Sequence, residues 1–105
     1  MKGVYLKLYA QENTRHGGRV VHEWLVDVAL ELGLPGCSVF RSITGYGHHR
    51  RKHDQDYIEL QGTLPVEIVF ALSEEEAGRL LQRLRDEKLE LFFVSMPVQF
   101  GFTTC

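Results

Sequence analysis

The chain has 105 residues, 44% of them hydrophobic and 25% charged, an ordinary globular composition at a length suited to one domain, residues 1–105, with one core. Twelve Lys and Arg stand against fourteen Asp and Glu, for a formal charge of -2; this excludes the chain-wide basic field of a nucleic-acid binder and makes any anion site a local one. No apolar run reaches the roughly 18 residues of a membrane span, and no basic segment followed by an apolar core opens the chain, so a soluble, cytoplasmic protein is expected.

From Val4 the residues alternate, with Val4, Leu6, Leu8 and Ala10 on one side and Tyr5, Lys7 and Tyr9 on the other, the period of a first strand. A polar stretch, residues 11–18, follows. Val20, Val21, Trp24, Leu25, Val28, Ala29 and Leu32 then recur at three- and four-residue spacing up to Gly33, which predicts an amphipathic helix with a glycine stop. Residues 37–44 are β-branched and aromatic around Val39, Phe40 and Ile43 and run into Gly45-Tyr46-Gly47, a second strand and its end. Residues 48–62 hold only three large apolar or aromatic positions and read as a long loop, with room for a short extended piece at 57–60.

Strand periodicity returns at Val66, Ile68, Phe70 and Leu72 behind Pro65, which sits where a missing amide is tolerated. Ser73 and Glu76 have capping-box spacing, and Glu74, Glu75 and Glu76 suit the positive end of a helix. Ala77, Leu80, Leu81 and Leu84 form that helix's apolar stripe. Residues 91–94, with Met96 and Val98, make a fourth strand.

The order is βαβ, a long loop, then βαβ. Right-handed crossovers then favour an α+β, ferredoxin-like βαββαβ fold with a four-stranded antiparallel sheet and both helices on one face. Tyr5, Lys7, Tyr9, Glu67 and Val69 would line the other face, and Leu91-Phe92-Phe93-Val94 is apolar on both of its alternating sides. Such a face is covered most directly by oligomerisation.

The densest chemical signal is His48-His49-Arg50-Arg51-Lys52-His53 after Gly45-Tyr46-Gly47. Arg supplies a forked donor for phosphate or carboxylate, Lys a mobile point charge, and His a charge that grows as pH falls. Glycines let backbone amides approach a ligand. His48, His49 and His53, with Asp54 and Asp56 nearby, also offer ligands to a divalent metal, although Arg50, Arg51 and Lys52 would repel one. Cys37 could act as a nucleophile only if the fold brought His16 or His22 to it. Cys37 and Cys105 match no CxxC motif and read as free thiols. Gly17-Gly18 reads as turn chemistry, and Glu12 and Arg41 as structural ion-pairing groups. No paired catalytic carboxylates and no Walker or dinucleotide motif occur.

Gly45-Tyr46-Gly47, a basic loop carrying Tyr57, and Leu64-Pro65-Val66-Glu67-Ile68-Val69 resemble the second-strand, T-loop and third-strand passage of PII signalling proteins. The PII-like DUF190 family is more similar still, through Val4-Tyr5-Leu6-Lys7-Leu8-Tyr9, Leu32-Gly33-Leu34-Pro35-Gly36-Cys37-Ser38-Val39-Phe40-Arg41, Gly45-Tyr46-Gly47 and Leu64-Pro65-Val66. The resemblance implies a homotrimeric, non-enzymatic regulator with ligand clefts between subunits and a loop near residues 48–57 that reports ligand state to a protein partner, a membrane transporter being one class. Carried over from PII proteins, it nominates Gly45, Tyr46, Gly47, His48 and His49 around an adenine nucleotide or another small anion, with Arg50, Arg51 and Lys52 as phosphate contacts. It names no cofactor. PII proteins hold phosphates with a glycine-containing loop before the second helix; here that junction is Ser73-Glu74-Glu75-Glu76, whose carboxylates repel a polyphosphate. The similar CutA family shares the trimeric fold, so the alternative expectation is a metal-binding or metal-tolerance module built on His48, His49 and His53.

Overall fold

In chain order, the computed structural model has β1 (Lys2–Gln11), β2 (Arg15–His16), β3 (Arg19–Val20), α1 (Val21–Glu31), β4 (Ser38–Arg41), β5 (Pro65–Leu72), α2 (Glu74–Asp86) and β6 (Phe93–Gln99). It describes residues 1–45 and 64–104. Four strands form one antiparallel sheet in the order β4-β5-β1-β6, so the two strands most central in space are the first and third of the four along the chain. This is the expected ferredoxin-like arrangement.

Register explains which side of the sheet is core. Leu6 lies opposite Phe70, Leu8 opposite Ile68 and Ala10 opposite Val66, and all six are buried. Because side chains alternate with period two, this pairing collects the buried apolar positions of β1 and β5 on one face. The helices cover that face with Val21, Leu25, Val28 and Ala29 of α1 and Ala77, Leu80 and Leu84 of α2. Burying each large apolar side chain contributes about 1.5–3 kcal/mol.

The helix ends follow local chemistry. Ser73 accepts the Glu76 amide at 3.1 Å while the Glu76 carboxylate accepts the Ser73 amide at 2.9 Å, the reciprocal box expected from the spacing. α1 ends in a Schellman motif: Gly33, at φ +73°, donates to Leu30 O and Leu34 donates to Ala29 O, both at 3.0 Å. α2 ends the same way through Lys88 and Leu89, but there a lysine takes the left-handed position at φ 56°.

Three details differ from the sequence reading. Residues 15–20, which take in the end of the polar stretch and Val20 of the expected helix stripe, form a small hairpin, β2 and β3, turned by Gly17 and Gly18 at φ +59° and +82°. Two residues per strand are too few to show a period, although paired glycines with positive φ are the expected two-residue turn. β4 is shorter than residues 37–44, with all four of its residues exposed. β6 begins at Phe93, because Leu89 and Leu91 instead pack against the core edge. The short extension considered at 57–60 lies outside the described residues.

Candidate functional site

Three strand ends converge where the long segment leaves and rejoins the sheet. The Glu12 amide, just past β1, donates to Leu64 O at 3.0 Å, and the Ser42 amide, just past β4, donates to Pro65 O at 3.0 Å. Ser42, Leu64 and Pro65 are therefore held at the same corner as Glu12. Across it the Glu12 carboxylate pairs with Arg41 Nε; the Glu12 side chain is 19% exposed and that of Arg41 69%. The pair ties the end of β4 to the end of β1 while leaving most of the Arg41 side chain exposed. Gly45 sits at φ +154°, where side chains are strained, and a Cβ there would come within 3.6 Å of Pro65 Cγ.

Gly45 is thus placed at this corner. The other nominated ligand residues, Tyr46, Gly47, His48, His49, Arg50, Arg51 and Lys52, lie outside the described residues, as do His53, Asp54, Asp56 and Tyr57. Among the described residues no three His, Cys, Asp or Glu side chains are grouped to hold a metal ion.

The second face of the sheet starts beside this corner. Tyr5, Lys7 and Tyr9 of β1 lie opposite Ala71, Val69 and Glu67 of β5, and Tyr5 and Lys7 lie opposite Met96 and Val94 of β6. Lys7 Nζ meets Glu67 Oε1 at 3.3 Å and stands 5.8 Å from the Tyr9 ring centre, and Tyr9 packs on Phe92 at 5.5 Å between centroids. The hydrogen bond to Glu67 holds the Lys7 ammonium above its ordinary range. Around this ion pair the face is largely apolar, with Phe40 56% and Met96 47% exposed. Lys7 and Glu67 are 60 positions apart in the sequence; only the register makes them neighbours.

A shallow depression at the β4 side of the same face is lined by Tyr5, Pro35, Gly36, Cys37, Val69 and Ala71. Burial pushes the Cys37 thiol up, which keeps it protonated and a poor nucleophile. His16, whose sequence position left it open as a base for Cys37, is engaged elsewhere, by Glu87 at 3.1 Å and by a T-shaped contact with Trp24. The start of α2 offers no cradle for phosphate: Ser73 and Glu76 satisfy one another, and Glu74, Glu75 and Glu76 crowd its first turn with negative charge.

Similarity to known proteins agrees with this geometry. The family model of DUF190, described as an uncharacterized ACR, matches residues 3–100. The chain belongs to the DUF190 family. A UPF0166 protein of Aquifex aeolicus (strain VF5) is similar to this DUF190 chain, 29% identical over 85 residues that cover 81% of each. Among solved structures, CPII, a nitrogen regulatory PII-like protein from Thiomonas intermedia K12 bound to ADP, AMP and bicarbonate, superposes with TM-score 0.64 at 19% identity, covering 97% of this chain and 96% of CPII. A chain from Thermus thermophilus described as a PII-like signaling protein gives 0.61 at 21% identity, covering 92% and 87%. The DUF190 chain therefore has a PII-like fold along nearly its whole length, and none of its helices among the described residues is long and apolar enough to cross a membrane.

Proposed function

We propose that this chain is a non-enzymatic, cytoplasmic PII-like regulatory subunit that assembles as a homotrimer and binds an adenine nucleotide, or a small anion of similar charge, in clefts between subunits. Gly45, Tyr46, Gly47, His48 and His49 line the cleft, Arg50, Arg51 and Lys52 contact phosphate, and residues 48–57 meet a protein partner, of which a membrane transporter is one class. Arg41 adds a cation at the mouth, since its side chain is largely exposed although Glu12 engages Nε. The observation that supports this reading most is the fold shared over 97% of the chain with CPII, a protein solved with ADP and AMP. The apolar second face, with Phe40 and Met96 open to water, supports the assembly, because a monomer would leave that patch wet. Ligand contacts at the loop base would then select one arrangement of residues 48–57 over others, and the partner would read that arrangement.

The acidic start of α2 directs the phosphate contacts to the basic run instead of to the helix N-terminus. Native mass spectrometry with ADP, AMP and ATP, each with and without divalent metal, tests the proposal. The expected result is a trimer with stoichiometric nucleotide, and a large loss of affinity in the Arg50→Ala/Arg51→Ala variant with the trimer intact. Unchanged affinity in that variant removes those arginines from the site, and a monomer sinks the assembly.

A further inference from the structure

We propose that His16 and Glu87 form a proton-dependent clasp that holds the β2–β3 hairpin against the C-terminal end of α2. His16 Nε2 lies 3.1 Å from Glu87 Oε1, and the imidazole makes a T-shaped contact with Trp24 of α1, 4.6 Å between ring centroids. Glu87 is the C-cap residue of α2. Its other oxygen accepts from Arg83 Nε at 3.2 Å, and Arg83 Nη1 reaches Glu31 Oε2 of α1 at 3.1 Å. Hairpin, α2 and α1 are thus joined by one chain of charged groups.

The charge in that chain depends on one proton. With His16 neutral, two carboxylates, Glu31 and Glu87, face a single guanidinium, Arg83. A proton on His16 adds the second positive charge and converts a hydrogen bond between a neutral ring and a carboxylate into an ion pair. Both arginines of the hairpin are already engaged. Arg19, opposite His16 in the hairpin, pairs with Asp27 of α1, and Arg15 donates to Gly18 O at 3.0 Å. Glu87 stays ionised through the range in which imidazoles titrate, because hydrogen bonds from His16 and Arg83 hold its carboxyl below the usual range. His22, two residues before Trp24 on α1, has a buried Nδ1 that meets no hydrogen-bond partner among the described residues and serves as the control imidazole.

The hairpin is a suitable element for such a device. Two paired residues per strand carry little stability of their own, so one side-chain contact weighs heavily in whether it docks. The clasp also anchors the far end of the short connection between β1 and β2, which begins at Glu12, the partner of Arg41 at the corner beside Leu64. Protonation therefore tightens the hairpin and the segment that leads to that corner.

Trp24 is the single tryptophan of the chain, so its emission reports this contact directly. The experiment titrates Trp24 fluorescence from about pH 8 to about pH 5, spanning the ordinary imidazole range, in the full chain and in the His16→Gln, Glu87→Gln and His22→Gln variants. It also measures hydrogen-exchange protection of the Val21 amide, which donates to Thr14 O at 2.8 Å. Wild type and His22→Gln should show one quenching step as the imidazolium forms beside the indole, and His16→Gln should show none. Glu87→Gln should keep the step, because His16 still stands beside Trp24 in that variant. By linkage Val21 protection should then be about threefold greater at about pH 5.5 than at about pH 8 in wild type, with no such change in Glu87→Gln. Quenching that survives His16→Gln, Val21 protection that still changes with pH in Glu87→Gln, or Val21 protection independent of pH in wild type would overturn the clasp.

Discussion

The same change, glycine to alanine, should have opposite signs at two places in this chain. Gly3 of β1 is buried, and a Cβ there would overlap the backbone carbonyl oxygen of Leu72 and stand 2.5 Å from Phe100 Cε2, where 3.0 Å is a floor real Cβ atoms essentially never cross. A phenyl ring can turn aside, but Leu72 O cannot. Leu72 is locked opposite Val4 in the sheet, so relief demands a shift of two paired strands. Overpacking of this kind costs about 1–3 kcal/mol, and a backbone clash belongs at the upper end, about 2–3 kcal/mol. At about 4–8 °C per kcal/mol for a domain near this size, Gly3→Ala should lower Tm by about 10–20 °C. Gly78 lies mid-helix in α2, exposed, where a Cβ meets nothing within 4 Å. Gly78→Ala should stabilise by about 0.5–1 kcal/mol, since alanine loses less backbone entropy in a helix. Thermal melts followed by circular dichroism, at one fixed protein concentration because subunit association shifts Tm, decide the matter. A Gly3→Ala protein that melts within about 2 °C of wild type, far inside the expected shift, would refute the reasoning, for it would mean that the β1–β5 pair yields where the geometry says it is rigid.

Four further outcomes follow from the structure. Lys88→Gly should stabilise by about 1 kcal/mol by relieving a left-handed residue, its φ being 56°; urea midpoints with an unchanged slope would show it. Ser73→Ala, which removes one half of the capping box, should cost about 1 kcal/mol, read in the same assay. Met96→Glu puts a charge on the apolar second face and should convert the proposed trimer to monomer in sizing chromatography while leaving the circular dichroism spectrum unchanged. Glu87, whose folded-state carboxyl is held below its usual range by His16 and Arg83, adds stability at neutral pH that disappears as pH falls through that lowered value. The gap in Tm between wild type and Glu87→Gln should accordingly be present at about pH 7 and close toward about pH 3; a constant gap would show that the carboxylate's charge plays no part.

Period two in β1 and β5, the three-and-four spacing of both helices and the Ser73-to-Glu76 box were legible because each is a local pattern, repeated within a few residues and tied to one backbone geometry. The family, too, was readable from short passages in the right order. Much less of the candidate site was. Glu12 and Arg41 looked like ion-pairing groups, but nothing in their separation names them as each other's partner. His16 was weighed as a base for Cys37, yet its contact is Glu87, 71 positions away. Gly3 carries no motif, and its close approach to Leu72 exists only once β1 and β5 are in register.

Alternation, capping and composition alone therefore determined that this chain makes an α+β domain with one covered sheet face, because those signals are local and hydrophobic burial rewards a single way of pairing them. Only the tertiary structure decided that Lys7 would face Glu67, that Glu12 and Arg41 would pair across the ends of β1 and β4, and that His16 would tie the hairpin to α2. Each of these pairs joins residues on different elements, and which residue meets which depends on strand register and helix placement, quantities set by the packing of the whole core.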